Sequence, residues 1–157
     1  MKLSASILVA AAAVFVAGTA AAQEEKETKI KRSELPAAVE RTVAIESRGA
    51  TIRGFSRETE NGQTFFEMEL RVSGRTRDVV IDTTGTVVLV EQEVDFATLP
   101  EAVRTGLTAG AAGGSIVLVE SLTKRGTLVA YEAHVKKGGK ESEVQVGPDG
   151  KPLAHPE

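Results

Sequence analysis

The stretch VVIDTTGTVV, residues 79–88, contains the residue types that come closest to a catalytic motif. A hydrophobic run followed by Asp, Thr and Gly also occurs in the catalytic loop of aspartic peptidases, where two closely held carboxylates share one proton. That chemistry needs a second reactive carboxylate facing Asp82, and the extra Thr before Gly85 changes the spacing of the motif. Asp82 is therefore either a catalytic acid or the first residue of a turn.

Other residue types that carry enzyme chemistry are sparse. With two His and no Cys, the sequence predicts neither a catalytic triad nor a metal-ligand cluster. His134 alternates with apolar residues, which places it on a solvent-facing side of a strand, and His155 lies in a Pro-flanked tail. Residues 110–114, GAAGG, are not followed by the Lys-Ser/Thr of a phosphate-binding loop. We therefore predict no catalytic, cofactor-binding or metal-binding residues, and a protein that is not an enzyme.

The N-terminal segment has the order of features found in secretory signal peptides. Lys2 precedes an apolar run from Leu3 to Val16, and residues 20–22 form an A-x-A site. This order predicts a signal peptide over residues 1–22, cleaved after Ala22, and the alternative is an uncleaved membrane anchor. The charged residues 23–32 predict a disordered leader. The mature chain is then periplasmic or secreted, without a disulfide.

The rest of the chain contains an internal repeat. A shift of 64 residues aligns SELPAAVERTV, from Ser33, with ATLPEAVRTGL, from Ala97. One inserted residue changes the shift to 65, after which FEMELRV, from Phe66, aligns with YEAHVKK, from Tyr131. The alignment predicts two tandem units, residues 33–96 and residues 97–157.

Each unit begins with a helical pattern and continues with alternating strand patterns. The apolar helical stripes consist of Leu35, Ala38, Val39 and Val43 in the first unit and Leu99, Ala102, Val103 and Leu107 in the second. Apolar residues then alternate with polar ones in both F/Y-E strands. The predicted fold class is α+β, with two tandem repeats that each pack one N-terminal helix on an antiparallel meander of three to four strands.

The repeat also decides between the two interpretations of Asp82. It aligns IDTTGTVV, from Ile81, with VGPDGKPL, from Val146, so that Asp82 falls on Gly147 and Gly85 on Gly150. Pro-Asp-Gly is typical of a turn. We therefore predict that Asp82 begins a turn and has no catalytic role.

The order of these features resembles the PepSY-like family, which is related to β-lactamase inhibitor protein (BLIP). The resemblance covers about residues 33–154 and rests on L-P-x-A-V helix starts, strands at Ile52 and Ile116, the F/Y-E-x-x-hydrophobic strands and the final D-x-x-G or G-P-D-G. It implies an exported, non-enzymatic module that binds protein on the concave surface of its sheet, with peptidase regulation or inhibition as one such role. The chain departs from the inhibitor in having no Cys, no Trp and one Tyr, so a very tight inhibitor is not indicated.

Strand alternation places the candidate binding surface. Phe66, Met68 and Leu70 should face the helices, as should Tyr131, Ala133 and Val135. The opposite, exposed side then carries the predicted partner-binding residues, which are Phe65, Glu67, Glu69, Arg71, Glu132, His134 and Lys136. Because these positions are expected to be exposed, reversing Glu67, Glu69 and Glu132 to Lys should leave folding intact.

The expected partner is an envelope or secreted protein. The formal net charge of −3 argues against a nucleic-acid partner, and no membrane contact is expected after signal cleavage. Two alternatives to protein binding stay open: a cell-envelope sensor of a small ligand or ion, and an enzyme whose site has no recognisable motif.

Overall fold

The structure is a computed structural model that describes residues 27–157. Two α-helices lie against one antiparallel sheet of eight strands, which confirms the predicted α+β class. The helices are Ala37–Glu46 (α1) and Glu101–Gly110 (α2). The strands are Thr28–Lys29 (β1), Thr51–Glu60 (β2), Gln63–Val72 (β3), Arg75–Asp82 (β4), Val87–Glu93 (β5), Ser115–Lys124 (β6), Thr127–Lys137 (β7) and Lys140–Val146 (β8).

The strands follow one another across the sheet in chain order, from β1 to β8. Tight turns connect β2 with β3, β3 with β4 and β6 with β7, and they use left-handed residues such as Asn61-Gly62 and Arg125-Gly126. The β5 and β6 strands flank α2 in the chain and pair over residues 89–93 and 120–124. The sheet is therefore continuous across the boundary predicted between the two units.

The first helix covers one hydrophobic cluster. Val39 and Val43 of α1 are fully buried, and they belong to the same cluster as Phe66, Met68 and Leu70 of β3. Alternation along β3 determines this arrangement, because every second side chain points to the same side of the sheet. The prediction that these three β3 residues face a helix is confirmed.

The second helix covers a separate cluster. Val103 and Leu107 of α2 are fully buried and pack with Ala133 and Val135 of β7, while Tyr131 lies at the edge of the cluster. The predicted orientation of these β7 residues is confirmed as well. The core therefore consists of two clusters on one face of the sheet, one beneath each helix.

Two glycines allow turns to approach the helices closely. Gly85, with a φ of +88°, lies in the turn between β4 and β5, and a Cβ atom there would stand 2.7 Å from the Ala38 carbonyl oxygen of α1. Gly150 has a φ of +79°, and a Cβ atom there would overlap the Ala102 carbonyl group of α2. Larger residues at either position would force the turn away from its helix.

The interpretation of Asp82 as a turn residue agrees with its hydrogen bonds. Its Oδ1 accepts hydrogen bonds from the backbone N–H of Thr84 at 2.8 Å and of Thr86 at 3.0 Å. The Thr84 hydroxyl donates to the same oxygen. This is an Asx-type turn in which the carboxylate replaces backbone acceptors.

The segment before α1 differs from its prediction. The leader was expected to be disordered over residues 23–32. Residues 23–26 lie outside the described residues, but Thr28–Lys29 pairs with β2 and Ile30 packs against the first cluster. One apolar residue is sufficient to anchor this segment because the edge of β2 offers free backbone partners. The predicted signal peptide, residues 1–22, lies outside the described residues. Within residues 27–157, no helix has both the length and the apolar character needed to cross a membrane.

Candidate functional site

The sheet face opposite the two helices is called the open face below. All seven predicted partner-binding residues lie on it, because they alternate along β3 and β7 with the residues that face the helices. They are Phe65, Glu67, Glu69 and Arg71 on β3 and Glu132, His134 and Lys136 on β7. Their role in binding stays a prediction.

Strand pairing brings further acids to the middle of this face. Glu69 pairs with Asp78 of β4, and Asp78 in turn pairs with Glu91 of β5. Across β6 and β7, Glu120 lies directly opposite Glu132. Five carboxyl groups from five neighbouring strands therefore form a row, called the carboxylate row below: Glu67, Asp78, Glu91, Glu120 and Glu132.

Three members of the row were not among the sequence-predicted site residues. Asp78, Glu91 and Glu120 each lie within a strand rich in Val, Leu or Ile. An acid in the middle of an apolar strand is unusual, because carboxylates are rarely buried without a partner. That pattern, present in successive strands, is the sequence signal that would have identified them.

The carboxylate row is buried, which corrects the expectation of an exposed polar face. Each of the five residues is at most 8% exposed. Apolar neighbours on the same face contribute to this burial, since Val80, Leu122 and Ala130 are also buried there. The triple reversal of Glu67, Glu69 and Glu132 to Lys is therefore not a neutral surface change, because two of its three positions are enclosed. Alternation along a strand identifies the face of a residue but not its depth.

Hydrogen bonds satisfy part of the row. The Ser56 hydroxyl donates to Glu67 at 2.9 Å, and the Gln145 side-chain amide donates to Oε2 of Glu132. Glu91 differs from both. Within residues 27–157 its carboxyl group accepts no hydrogen bond and forms no ion pair.

Burial and mutual repulsion change the acidity of the row. Burial, followed by the charges of Glu120 and Glu132, raises the pKa of Glu91 to about 9. Burial and the charge of Asp78 raise the pKa of Glu67 to about 8, although the Ser56 hydrogen bond opposes the change. For Asp78, burial and the charge of Glu120 raise the pKa to about 7. Without a bound cation, these groups hold protons near neutral pH.

His134 lies at the β7 end of the row, surrounded by acids. Its Nε2 is 3.0 Å from Oε2 of Glu120 and 3.5 Å from Oε1 of Glu132, and its Nδ1 is 3.9 Å from Oε1 of Glu143. The hydrogen bond to Glu120 is the main factor that raises the pKa of His134. The predicted face is right, but the ring is half-buried and hydrogen-bonded instead of freely solvated. The sequence also predicted no metal-ligand cluster, yet strand pairing brings the side chains of His134, Glu120 and Glu132 together.

The rim of the open face is exposed and carries both signs of charge. Arg71 donates to the backbone carbonyl of Gly74, and Lys136 forms an ion pair with Glu141 at 2.9 Å. Phe65, the aromatic residue among the predicted contacts, is partly buried beside Glu58 and Asp82. A mixed rim around an acidic centre is suited to a partner that presents positive charge at its middle.

Comparison with known proteins identifies the fold. The structure is similar to that of a BLIP-like protein from Bacteroides fragilis NCTC 9343, with a TM-score of 0.56 and 19% identity over 76% of this chain and 83% of that chain. The chain has the fold of BLIP-like proteins. No protein-family model matches the chain, and no curated protein matches it.

Two other solved structures share the fold. A DUF2874 family protein from Bacteroides ovatus ATCC 8483 has a TM-score of 0.60 and 16% identity, and the match covers 76% of this chain and 84% of that chain. A candidate periplasmic protein from Bacteroides eggerthii DSM 20697 has a TM-score of 0.62 and 14% identity, with coverages of 76% and 86%. The resemblance predicted from the sequence is thus confirmed at the level of the fold.

The chemistry that the carboxylate row can perform is binding of positive charge. Burial and mutual repulsion keep protons on Glu67, Asp78 and Glu91 near neutral pH, and a cation that enters the row displaces these protons and pairs with the ionised carboxylates. Nucleophilic catalysis would need a hydroxyl or thiol activated by a neighbouring base. Among the described residues, His134 is hydrogen-bonded to a carboxylate instead of a hydroxyl.

Proposed function

We propose that this chain is an exported, non-enzymatic module that binds a protein partner on the open face of its sheet. The observation that carries the proposal is the carboxylate row, in which five acids from β3 to β7 are enclosed together at the centre of one face. Burying acids together is costly for stability. A positively charged partner segment that enters the row recovers part of that cost, so the face is complementary to Lys or Arg.

Two further observations support this proposal. The fold is that of BLIP-like proteins, one of them from Bacteroides fragilis, and the family resemblance of the sequence implies protein binding. A structural neighbour is a candidate periplasmic protein, which supports a location outside the cytoplasm; the signal peptide over residues 1–22 and its cleavage after Ala22 stay predictions. The resemblance to the PepSY-like family implies regulation or inhibition of a peptidase as one form of such binding.

The proposed architecture behind this face is a tandem duplication of one unit, residues 33–96 and 97–157. Gly85 lies against Ala38, and Gly150 lies against Ala102, so the same turn-to-helix contact occurs in both halves. The two halves would then each contribute strands to one shared binding face.

Site-specific photocrosslinking tests the location of the partner. A photoreactive amino acid replaces Glu69 or Glu143, both on the open face, and replaces Glu101 on the exposed side of α2 as the control. The chain is expressed in the envelope of its own host. We expect discrete crosslinked proteins from positions 69 and 143 and none of them from position 101.

Charge reversal then tests the chemistry with whichever protein is captured. Glu69→Lys lies at the exposed rim of the row, and Glu101→Lys makes the same charge change on the helix side. The first variant should slow association about threefold or more at low salt, and the control should not. Equal association rates for wild type and both variants would show that the open face is not where the partner binds.

A further inference from the structure

Three potential metal ligands from β6 and β7 meet at one end of the carboxylate row. Glu120, Glu132 and His134 each offer one ligand atom within 4.8 Å of the other two, and the oxygens next to Nε2 of His134 are Oε2 of Glu120 and Oε1 of Glu132. The imidazole nitrogen is 3.0 Å from the first oxygen and 3.5 Å from the second. Bonds of about 2.0–2.1 Å in a tetrahedral Zn²⁺ site separate the ligand atoms by about 3.3–3.4 Å. The side chains are thus spaced as they would be around one ion.

A fourth acid of the carboxylate row, Glu91, lies on the adjacent strand β5 of the same face. Glu91 is 8% exposed, and the carboxyls of Glu120 and Glu132 are the charged groups that act most strongly on it. Within residues 27–157 it accepts no hydrogen bond. Within residues 27–157, every fully enclosed side-chain oxygen has a hydrogen-bond partner. Because the Glu91 oxygens have none, they must be in contact with solvent. A nearly buried carboxyl group without a partner is costly, and a cation bound by the neighbouring side chains would lower that cost.

Neighbouring side chains already orient the ligands. Gln145 donates to Oε2 of Glu132, which leaves Oε1 directed toward His134. On the other side of the ring, the Glu143 carboxylate is 3.9 Å from Nδ1 of His134. Imidazoles that bind metals through one nitrogen usually have a carboxylate or carbonyl partner at the other. The arrangement therefore contains both a ligand set and the groups that support it.

We propose that Glu120, Glu132 and His134 bind a divalent transition-metal ion of the Zn²⁺ type. The imidazole selects this class of ion, because Ca²⁺ and Mg²⁺ prefer all-oxygen sites. This inference does not depend on a protein partner, since it is tested on the isolated chain.

The test uses the mature chain, freed of metal with a chelator and then titrated with Zn²⁺. Calorimetry should show one equivalent bound, and excess Zn²⁺ should raise the melting temperature by about 5 °C or more. His134→Gln and Glu120→Gln should each weaken Zn²⁺ binding on the order of 100-fold, and Glu91→Gln about 10-fold. His155→Gln removes the other histidine of the chain and should bind as the wild type does. Ca²⁺ and Mg²⁺ at the same concentrations should leave the melting temperature unchanged.

A measurement on the unmodified protein keeps the test independent of variant folding. Long-range ¹H–¹⁵N spectra of the histidine rings should show Zn²⁺ shifting the Nε2 signal of His134 while the His155 ring is unaffected. Absence of Zn²⁺ binding by the wild type would overturn the proposal, as would equal binding by a folded His134→Gln variant. Stabilisation by Ca²⁺ that does not depend on His134 would likewise replace the proposed ion class with an all-oxygen site.

Discussion

Replacing Glu67 by Gln should make the protein more stable at neutral pH. Glu67 is 6% exposed, and burial together with the charge of Asp78 raises its pKa from the ordinary value of 4.5 to about 8. At pH 7 the folded state therefore holds a proton that the unfolded chain releases. Gln has nearly the same shape as protonated Glu and can keep the Ser56 hydrogen bond, but the unfolded variant gains nothing from ionisation.

The magnitude of this effect follows from proton linkage. Each pH unit between the ordinary pKa and the working pH favours the unfolded wild type by about 1.4 kcal/mol. At pH 7 the limit is about 3 kcal/mol, and relaxation around the site and coupling to Asp78 reduce it. We expect Glu67→Gln to raise the free energy of unfolding by about 1–3 kcal/mol at pH 7.

The direction of the pH dependence is the sharper part of the prediction. A carboxyl group with a raised folded pKa stabilises the fold fully below pH 4.5, and its contribution is lost as the pH rises toward about 8. The free energy of unfolding of the wild type should therefore fall between pH 5 and pH 8. In the variant, unfolding releases one proton fewer, so the slope of the free energy of unfolding against pH should be smaller by up to about 1.4 kcal/mol per pH unit. Other groups with raised pKa values contribute to the slope that remains, and they are Asp78, Glu91, Glu132, His134 and Glu143.

Urea unfolding followed by circular dichroism at pH 5, 6, 7 and 8, with a chelator present, measures both quantities. Glu69→Gln is the matched control, because Glu69 lies two residues along the same face with a side chain 35% exposed, and it should change stability by less than about 0.5 kcal/mol. A Glu67→Gln variant that is less stable than the wild type at pH 7, or that has the same pH slope, would refute the reasoning.

Three further substitutions test features of the fold. Gly85→Ala would place a Cβ atom 2.7 Å from a carbonyl oxygen of α1 and should lower the free energy of unfolding by about 3 kcal/mol or more. Gly74→Ala is the control, because Gly74 has a similar φ but open space around it, and it should cost about 1 kcal/mol. Equal losses in urea unfolding would contradict the close contact. Asp82→Asn keeps the oxygen that accepts the turn hydrogen bonds and should lower the free energy of unfolding by less than about 1 kcal/mol. Loss of a hydrolytic activity at an unchanged melting temperature would instead support the catalytic interpretation of Asp82. Leu107→Ala removes a fully buried side chain and should cost about 2–5 kcal/mol by the same melts, with Leu128→Ala at a 37% exposed position as the near-neutral control.

The orientation of the sheet was predictable because it depends on local alternation. Phe66, Met68 and Leu70 alternate with Glu67 and Glu69, and a period of two is sufficient to assign each side chain to a face. The Asp82 turn was predictable for a similar reason, since its hydrogen bonds connect residues at most four apart.

The carboxylate row was not predictable in the same way, because it depends on the pairing of five strands. Glu91 and Glu120 are 29 residues apart in the chain and come close only because β5 pairs with β6. Depth also depends on neighbours, since Glu67 and Glu69 follow the same pattern yet Glu67 alone of the two is buried. The group formed by His134, Glu120 and Glu132 was missed for both reasons, because it depends on the pairing of β6 with β7 and on the depth of these side chains.

The strictly sequential strand order has a consequence for how quickly the chain reaches its native state. Each ladder joins strands that are neighbours in the chain, either through a tight turn or across one helix. Folding rates rise as the sequence separation between contacting residues falls, and single hairpins close within microseconds. As the chain is made from its N-terminus, it can therefore assemble this sheet strand by strand, with each new strand adding to an edge that already exists.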